Sequence, residues 1–535
     1  MTTIRRLFLY MASFIGMVVT LVGSFNLIQL IVEYGFDAFR DGFITSTSQT
    51  LAMLIVGGVA WRFYWRAVQR EATSVPDERA SGLRKTYLYG TLALSLLVAL
   101  ILLQQVLGEF FTRLLGPGLQ GYKPWTLLLF AAVLGLNWRW HDLIAQGDTA
   151  ANADGTRGAD LRRGYWFALA YYGIVNAASG LSAFLSGLLS HLGGRAPAQF
   201  GFFGGGSWQQ TLIPTLMQTI VSSIAVWMFW LPSQKAAASG DETERASRAR
   251  TWLIHLILFS AIVSALNGAQ MILVDVMDRI LRGFPTDLFV TTINAPLASL
   301  IVGGLLLWYF FKQVRSTLPS PRLSEYLMAG AAFFFTVIGI VQLVSALFQT
   351  LGGQGERIEE LITRVLPWLL VGGGVWYWRW RWIDADVSGA DGTPARSNLW
   401  RKVYLYFYQL VGLVMILIGA GAIVQDIIAA LLGQSLTGPF GGGNALIALA
   451  TPLAFLLTGS GLLIYMMQIV SGDGRLVALA ASAEAGPPPA LGSGVPTWAI
   501  AAAVGFVLGP FLVIFLLALL GPVIGNIFNN IVGGI

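Results

Sequence analysis

The chain is 535 residues long, 56% hydrophobic and only 11% charged, where soluble domains carry about a quarter charged residues; a soluble globular protein is excluded. It has no cysteine, which removes disulfides, thiolate nucleophiles, iron–sulfur ligation and cysteine-type zinc sites. The formal net charge is +6, and in a membrane protein the side on which each charge falls matters more than the total.

Taken in chain order, apolar runs between charge and glycine clusters predict thirteen membrane-crossing helices, at residues 7–31, 45–65, 86–108, 123–140, 165–189, 209–230, 252–274, 290–311, 326–349, 361–380, 403–425, 443–465 and 497–520. The first starts directly after Arg5-Arg6 and is too long for a signal-peptide core, so it reads as a retained helix. Odd-numbered helices up to the eleventh open on a basic residue or pair followed by aromatics, as in Arg5-Arg6-Leu7-Phe8-Leu9-Tyr10, Arg84-Lys85-Thr86-Tyr87-Leu88-Tyr89, Arg162-Arg163-Gly164-Tyr165-Trp166-Phe167, Arg250-Thr251-Trp252 and Arg401-Lys402-Val403-Tyr404-Leu405-Tyr406. Arg322 with Tyr326 is the weakest copy. The mean spacing of these openings is about 79 residues, the signature of an internal repeat. The first five even-numbered helices end in tryptophan-rich sequence, densest at Trp376-Tyr377-Trp378-Arg379-Trp380-Arg381-Trp382, and the sixth reads Ile464-Tyr465-Met466-Met467.

The pattern predicts an all-α, polytopic transmembrane helix bundle of about 13 spans: six parallel two-helix repeats plus a C-terminal helix. The repeats fall at residues 1–80, 81–160, 161–247, 248–320, 321–398 and 399–470, with a Pro/Gly/Ala-rich linker at 471–496 and a last helix with an apolar tail at 497–535. Of the 33 Lys and Arg residues, 25 fall on the N-terminal side of the membrane and 8 on the other. The positive-inside rule then predicts a multi-pass cell-membrane protein with a cytoplasmic N-terminus and an outside C-terminus. Parallel repeats differ from the inverted repeats that build many alternating-access carriers.

The basic-aromatic openings and the short Trp/Arg-ended hairpins resemble the bacterial membrane family described as domain of unknown function 5671, in several copies over about residues 1–470. The family description carries no activity, so the resemblance implies a membrane-embedded repeat fold and no functional residue.

Three groups of residues are candidates for function. Amides within the apolar spans, Asn26, Gln29, Gln105, Gln270, Gln342 and Gln425, with Gln104 and Gln349 nearby, fit a polar lining or interhelical hydrogen bonds. The side that carries 15 of the 18 tryptophans offers a rim for anionic lipid head groups, with Arg62, Arg66, Arg139, Arg379, Arg381, Trp376, Trp378 and Trp380, or else a plain interfacial belt. Gly505 and Gly509, four apart in the last helix, suit docking on a membrane-protein partner or on the bundle itself.

His141, His191 and His255 lie far apart without metal-ligand spacing, no carboxylate sits clearly mid-span, and no soluble fold organises the basic face for nucleic acid. Neither a cofactor nor catalysis is expected. The first functional expectation is a non-enzymatic scaffold or accessory subunit of a membrane complex, with anionic-lipid contacts at the rim. The second is a transporter or channel for a neutral or lipophilic solute.

Overall fold

A computed structural model describes residues 3–32, 43–116, 118, 124–151, 156–192, 208–283, 289–317, 322–353, 357–388, 392–431 and 445–484. Among these residues the regular structure is helical, with no strand. The long elements are α1 (Thr3–Val32), α2 (Phe43–Ser74), α3 (Gly82–Leu114), α4 (Trp125–Ala151), α5 (Thr156–Leu192) and α6 (Trp208–Ala225). A π turn at Val226–Trp230 joins α6 to α7 (Leu231–Ala238). They are followed by α8 (Arg248–Arg282), α9 (Phe289–Thr317), α10 (Arg322–Leu351) and α11 (Ile358–Trp368); a second π turn at Leu369–Gly373 leads to α12 (Gly374–Ser388), and α13 (Leu399–Leu431) and α14 (Ala445–Glu484) complete the set.

Ten helices among the described residues are long and apolar enough to cross a membrane. Of the predicted spans at 123–140 and 361–380, residues 125–140 and 361–380 are helical but fall outside that set. The first lies in α4, which also carries Arg139, Asp142 and Asp148. The second is divided among α11, a π turn and α12, with Glu359 and Glu360 in the opening turn. At the end of the described chain, α14 runs on to Glu484, so residues 471–484 continue a helix where the sequence suggested a tether. Residues 485–496 and the thirteenth predicted helix, with Gly505 and Gly509, lie outside the described residues.

Consecutive helices pair antiparallel, and glycine is where their backbones meet. In α1 and α2, Gly16 faces Gly57 and Trp61 while Gly23 faces Leu54. Along α5, Gly173, Gly180 and Gly187 meet successively earlier parts of the helix that follows, at Ser222, Thr219 and Leu212. A Cβ on Gly268 of α8 would stand 2.6 Å from the Pro296 carbonyl oxygen of α9. The α3–α4 pair uses side chains instead, with Asn137 donating to Ser95 Oγ at 2.9 Å.

The chain divides into two compact units, Met1–Ile340 with Glu356–Arg379, and Val341–Gly355 with Trp380–Ile535. The first has its core at the basic-aromatic ends of the helices, around Tyr87, Leu88, Leu92, Phe229, Trp230, Ile254 and Phe310. In the second, α13 and α14 cross at Gly412 and Gly459, each glycine placed against the other's carbonyl oxygen.

Candidate functional site: a hydroxyl-lined cavity

Along α5, Val175, Ala178, Ser179, Ser182, Ala183, Ser186, Gly187 and Ser190 recur at three- and four-residue steps, so they share one face of the helix. Small side chains on such a face ordinarily let a neighbouring helix close in. Here they line a cavity of about 640 Å³ shared with Gln210, Thr211, Pro214 and Thr215 of α6, Ser260 and Ser264 of α8, and Ser299, Val302 and Gly303 of α9. The face from Val175 to Ser190 covers about 22 Å of helix at 1.5 Å per residue, a large part of a ~30 Å hydrocarbon core.

Three polar contacts tie α5 to the next hairpin along this cavity. The Tyr171 hydroxyl meets Ser260 Oγ at 3.2 Å, Ser182 Oγ meets Ser299 Oγ at 3.3 Å, and Asn294 Nδ2 donates to Ser190 Oγ. None of the lining residues is ionisable. About half carry a hydroxyl or amide and the rest are apolar, the mixture expected of a pocket that orients a small molecule by a few hydrogen bonds.

On the adjoining side of α5 lies an amide node. Asn176 Nδ2 is 3.1 Å from Gln104 Oε1, 3.2 Å from the Tyr172 hydroxyl and 2.6 Å from Ser222 Oγ, while Gln218 Nε2 donates to Asn176 Oδ1 at 3.0 Å. Asn176 and Gln218 were not among the sequence candidates. Gln105 is exposed, one residue past the buried-side Gln104, and Gln425 is exposed as well. Asn26 is half-buried and reaches Met53 Sδ at 3.8 Å. Gln29 and Gln342 are half-buried, and Gln270 is buried.

At the basic-aromatic ends the openings are built around buried cations. Ser81 caps α3 by accepting from the Arg84 backbone N–H at 3.3 Å, and Ser247 does the same for Arg250 in α8 at 3.4 Å. Arg84 chelates Asp148 at 2.6 and 3.1 Å, bonds Gln69 at 3.1 Å, and lies over the Trp65 ring, which stacks on Tyr87. The second unit repeats the arrangement: Arg401 chelates Asp473 at 2.6 and 3.3 Å and lies over Trp380, which stacks on Tyr404. Burying both charges is compensated by bidentate pairing and cation–π contact.

The rim candidates separate accordingly. Arg62, Arg66, Arg139, Arg381 and Trp378 are exposed, and Trp376 and Trp380 are half-buried. Arg379 instead turns inward, within 3.4 Å of Glu325 and over the Phe311 and Trp378 rings, so it is a packing cation and not an open head-group ligand. In the connection before α8, Asp241 caps the short Glu242–Arg245 helix, and its carboxyl lies below the usual range, chiefly because the Thr243 hydroxyl donates to it. No group of three His, Cys, Asp or Glu that could hold a metal occurs among the described residues.

Apolar helices of spanning length, paired through glycine and repeated along the chain, define a membrane-embedded helical repeat protein. The family profile described as "Domain of unknown function (DUF5671)" matches three times, at residues 6–138, 163–305 and 322–461, and the chain belongs to that family. Each match takes in two of the predicted hairpins. Neither the curated proteins nor the solved structures gave a match.

Proposed function

We propose that this membrane protein binds a small neutral solute between its third and fourth hairpins and passes it across the bilayer, as a channel or carrier. The observation that carries the reading is the 640 Å³ cavity, lined by hydroxyls on four helices and by no ionisable side chain. An ion would lose its hydration there without a counter-charge, whereas a neutral polar molecule exchanges water for wall hydroxyls. The partner contact of the scaffold expectation was placed on the last helix, which lies outside the described residues. In this reading the basic-aromatic ends face the cytoplasm, and the exposed Arg62, Arg66, Arg139 and Arg381 meet anionic head groups.

The test is solute entry into liposomes carrying the purified full chain, followed by stopped-flow light scattering with urea, glycerol and erythritol. At least one should enter faster than into empty vesicles, and Ser182→Leu combined with Ser299→Leu should return its rate to the empty-vesicle value while the protein stays monodisperse. Because the chain has no cysteine, Ser186→Cys gives an independent readout: a small neutral thiol reagent should label it and block entry. Empty-vesicle rates for all three solutes, with Ser186→Cys unreactive, would overturn the reading.

A further inference from the structure

Toward the basic-aromatic ends of the helices the cavity stops at a floor of packed rings. Its lining runs down to Val175 of α5, Ile257 of α8 and Leu306 of α9. About one turn further along the same helices stand Tyr171, Ile254 and Phe310. On the fourth wall, α6 runs past Thr215 and closes on α5, where Thr219 and Ser222 meet Gly180 and Gly173. Two of the walls, α6 and α9, are then joined at the floor. At the end of the π turn Trp230 donates its indole N–H to the Tyr309 hydroxyl at 3.1 Å and packs on the Phe310 ring with centroids 5.3 Å apart. Trp230 is 2% exposed and Phe310 1%, and side chains packed that closely leave no passage for a solute.

The turn that carries Trp230 is weakly tied. The Leu231 N–H reaches back five residues to the Val226 carbonyl, and Pro232 has no N–H to give the Met228 carbonyl. A wide turn of this kind can shift along its helix, and a shift past Trp230 turns that side chain away from α9. Resting on the solute reading above, we infer that Trp230 is the gate of the path and Tyr309 its latch. The cavity is shut toward the basic-aromatic ends while the indole–phenol bond holds, and a solute passes when that bond breaks and the ring swings out. Neither partner carries a charge, so opening strands no ion in the bilayer. A second bond of the same chemistry, from the Trp138 indole N–H to the Tyr165 hydroxyl at 3.0 Å, ties α4 to α5. It does not join α6 to α9 and serves as the internal control.

The experiment is entry of urea, glycerol and erythritol into liposomes holding the full chain and its gate variants. Tyr309→Phe and Trp230→Phe each remove one partner of the latch and keep a ring in the floor. Each should speed entry several-fold, up to about tenfold, the equivalent of about 1.4 kcal/mol or one net hydrogen bond. The double variant should be no faster than the faster single, because both changes remove the same bond. Adding Ser182→Leu with Ser299→Leu to Tyr309→Phe should return the rate to that of empty vesicles, which separates an opened gate from a leaky fold. Trp138→Phe should leave the rate unchanged. Rates that do not rise in either latch variant, additive gains in the double variant, a gain that survives the two leucines, or an equal gain in Trp138→Phe would overturn the gate while leaving the solute reading in place. If neither the parent nor any latch variant carries a solute, the inference fails; whether the solute reading falls with it is decided separately by labelling of Ser186→Cys.

Discussion

The first and second family copies, residues 6–138 and 163–305, begin on equivalent arginines and diverge in the middle of the bilayer. Nineteen residues on from each start the first copy has Phe25 and the second has Ser182. Phe25 packs against Phe130 with ring centroids 5.0 Å apart, whereas Ser182 meets the Ser299 hydroxyl and lines the cavity. The same helical frame is thus filled in one copy and hollow in the other. The difference lies in side-chain volume along one helix face, since the glycine crossings that hold the hairpins together occur in both copies.

That contrast can be broken or sharpened by substitution. The largest effect is expected at the buried cation of the first copy. Arg84→Ala leaves Asp148 without its chelating partner and should cost about 3–5 kcal/mol, while exposed Arg62→Ala should stay within about 0.5 kcal/mol; unfolding in detergent micelles measures both. Next comes the crossing in the second copy. Gly268→Leu forces a side chain against the Pro296 carbonyl and should cost about 1–3 kcal/mol. Gly90→Ala in α3, with nothing within 4 Å of its added carbon, should gain up to about 1 kcal/mol of helix propensity. The caps test what the copies share: Ser81→Ala and Ser247→Ala should each lose about 1 kcal/mol, and clearly unequal losses would show that the two openings are not equivalent. Smallest in stability is Ser182→Phe, which gives the second copy the residue of the first. It should change stability by less than about 0.5 kcal/mol yet abolish solute entry, and undiminished entry would remove Ser182 from the path.

Much of the architecture was legible because its causes are local. Arg84-Lys85-Thr86-Tyr87-Leu88-Tyr89 and Arg401-Lys402-Val403-Tyr404-Leu405-Tyr406 mark the same structural place, and long apolar runs in lipid leave the backbone little choice but helix. The direction in which the cations point was not legible. Arg84 and Arg379 belong to the same basic-aromatic pattern as exposed Arg62 and Arg66, and only tertiary packing sets Asp148 beside the first and Glu325 beside the second. Helical phase misled the search for a polar centre: Gln105 is one residue, about 100° of rotation, away from Gln104, which takes the Asn176 bond. The cavity itself was missed because Ser182, Ser186 and Ser190 carry the spacing of an ordinary small-residue packing seam. Its one advance signal was hydroxyl-bearing residues on several neighbouring helices at once, which gains meaning when the helices are set side by side.

The π turn at Val226–Trp230 carries a consequence for how this helix could change over time. A wide turn absorbs one residue beyond the α-helical count, which offsets everything after it by about 100°. Trp230 ends that turn and donates to the Tyr309 hydroxyl at 3.1 Å, while Thr211 and Thr215 upstream line the cavity. Loss of one residue between 226 and 229 would restore a regular α-helix and keep Trp230 in the phase that meets Tyr309, whereas loss of one residue from the regular helix upstream would rotate Trp230 about 100° relative to Thr211. The segment is therefore a length buffer: it can give up one residue without rotating the helix that follows, which the regular α-helix on either side cannot.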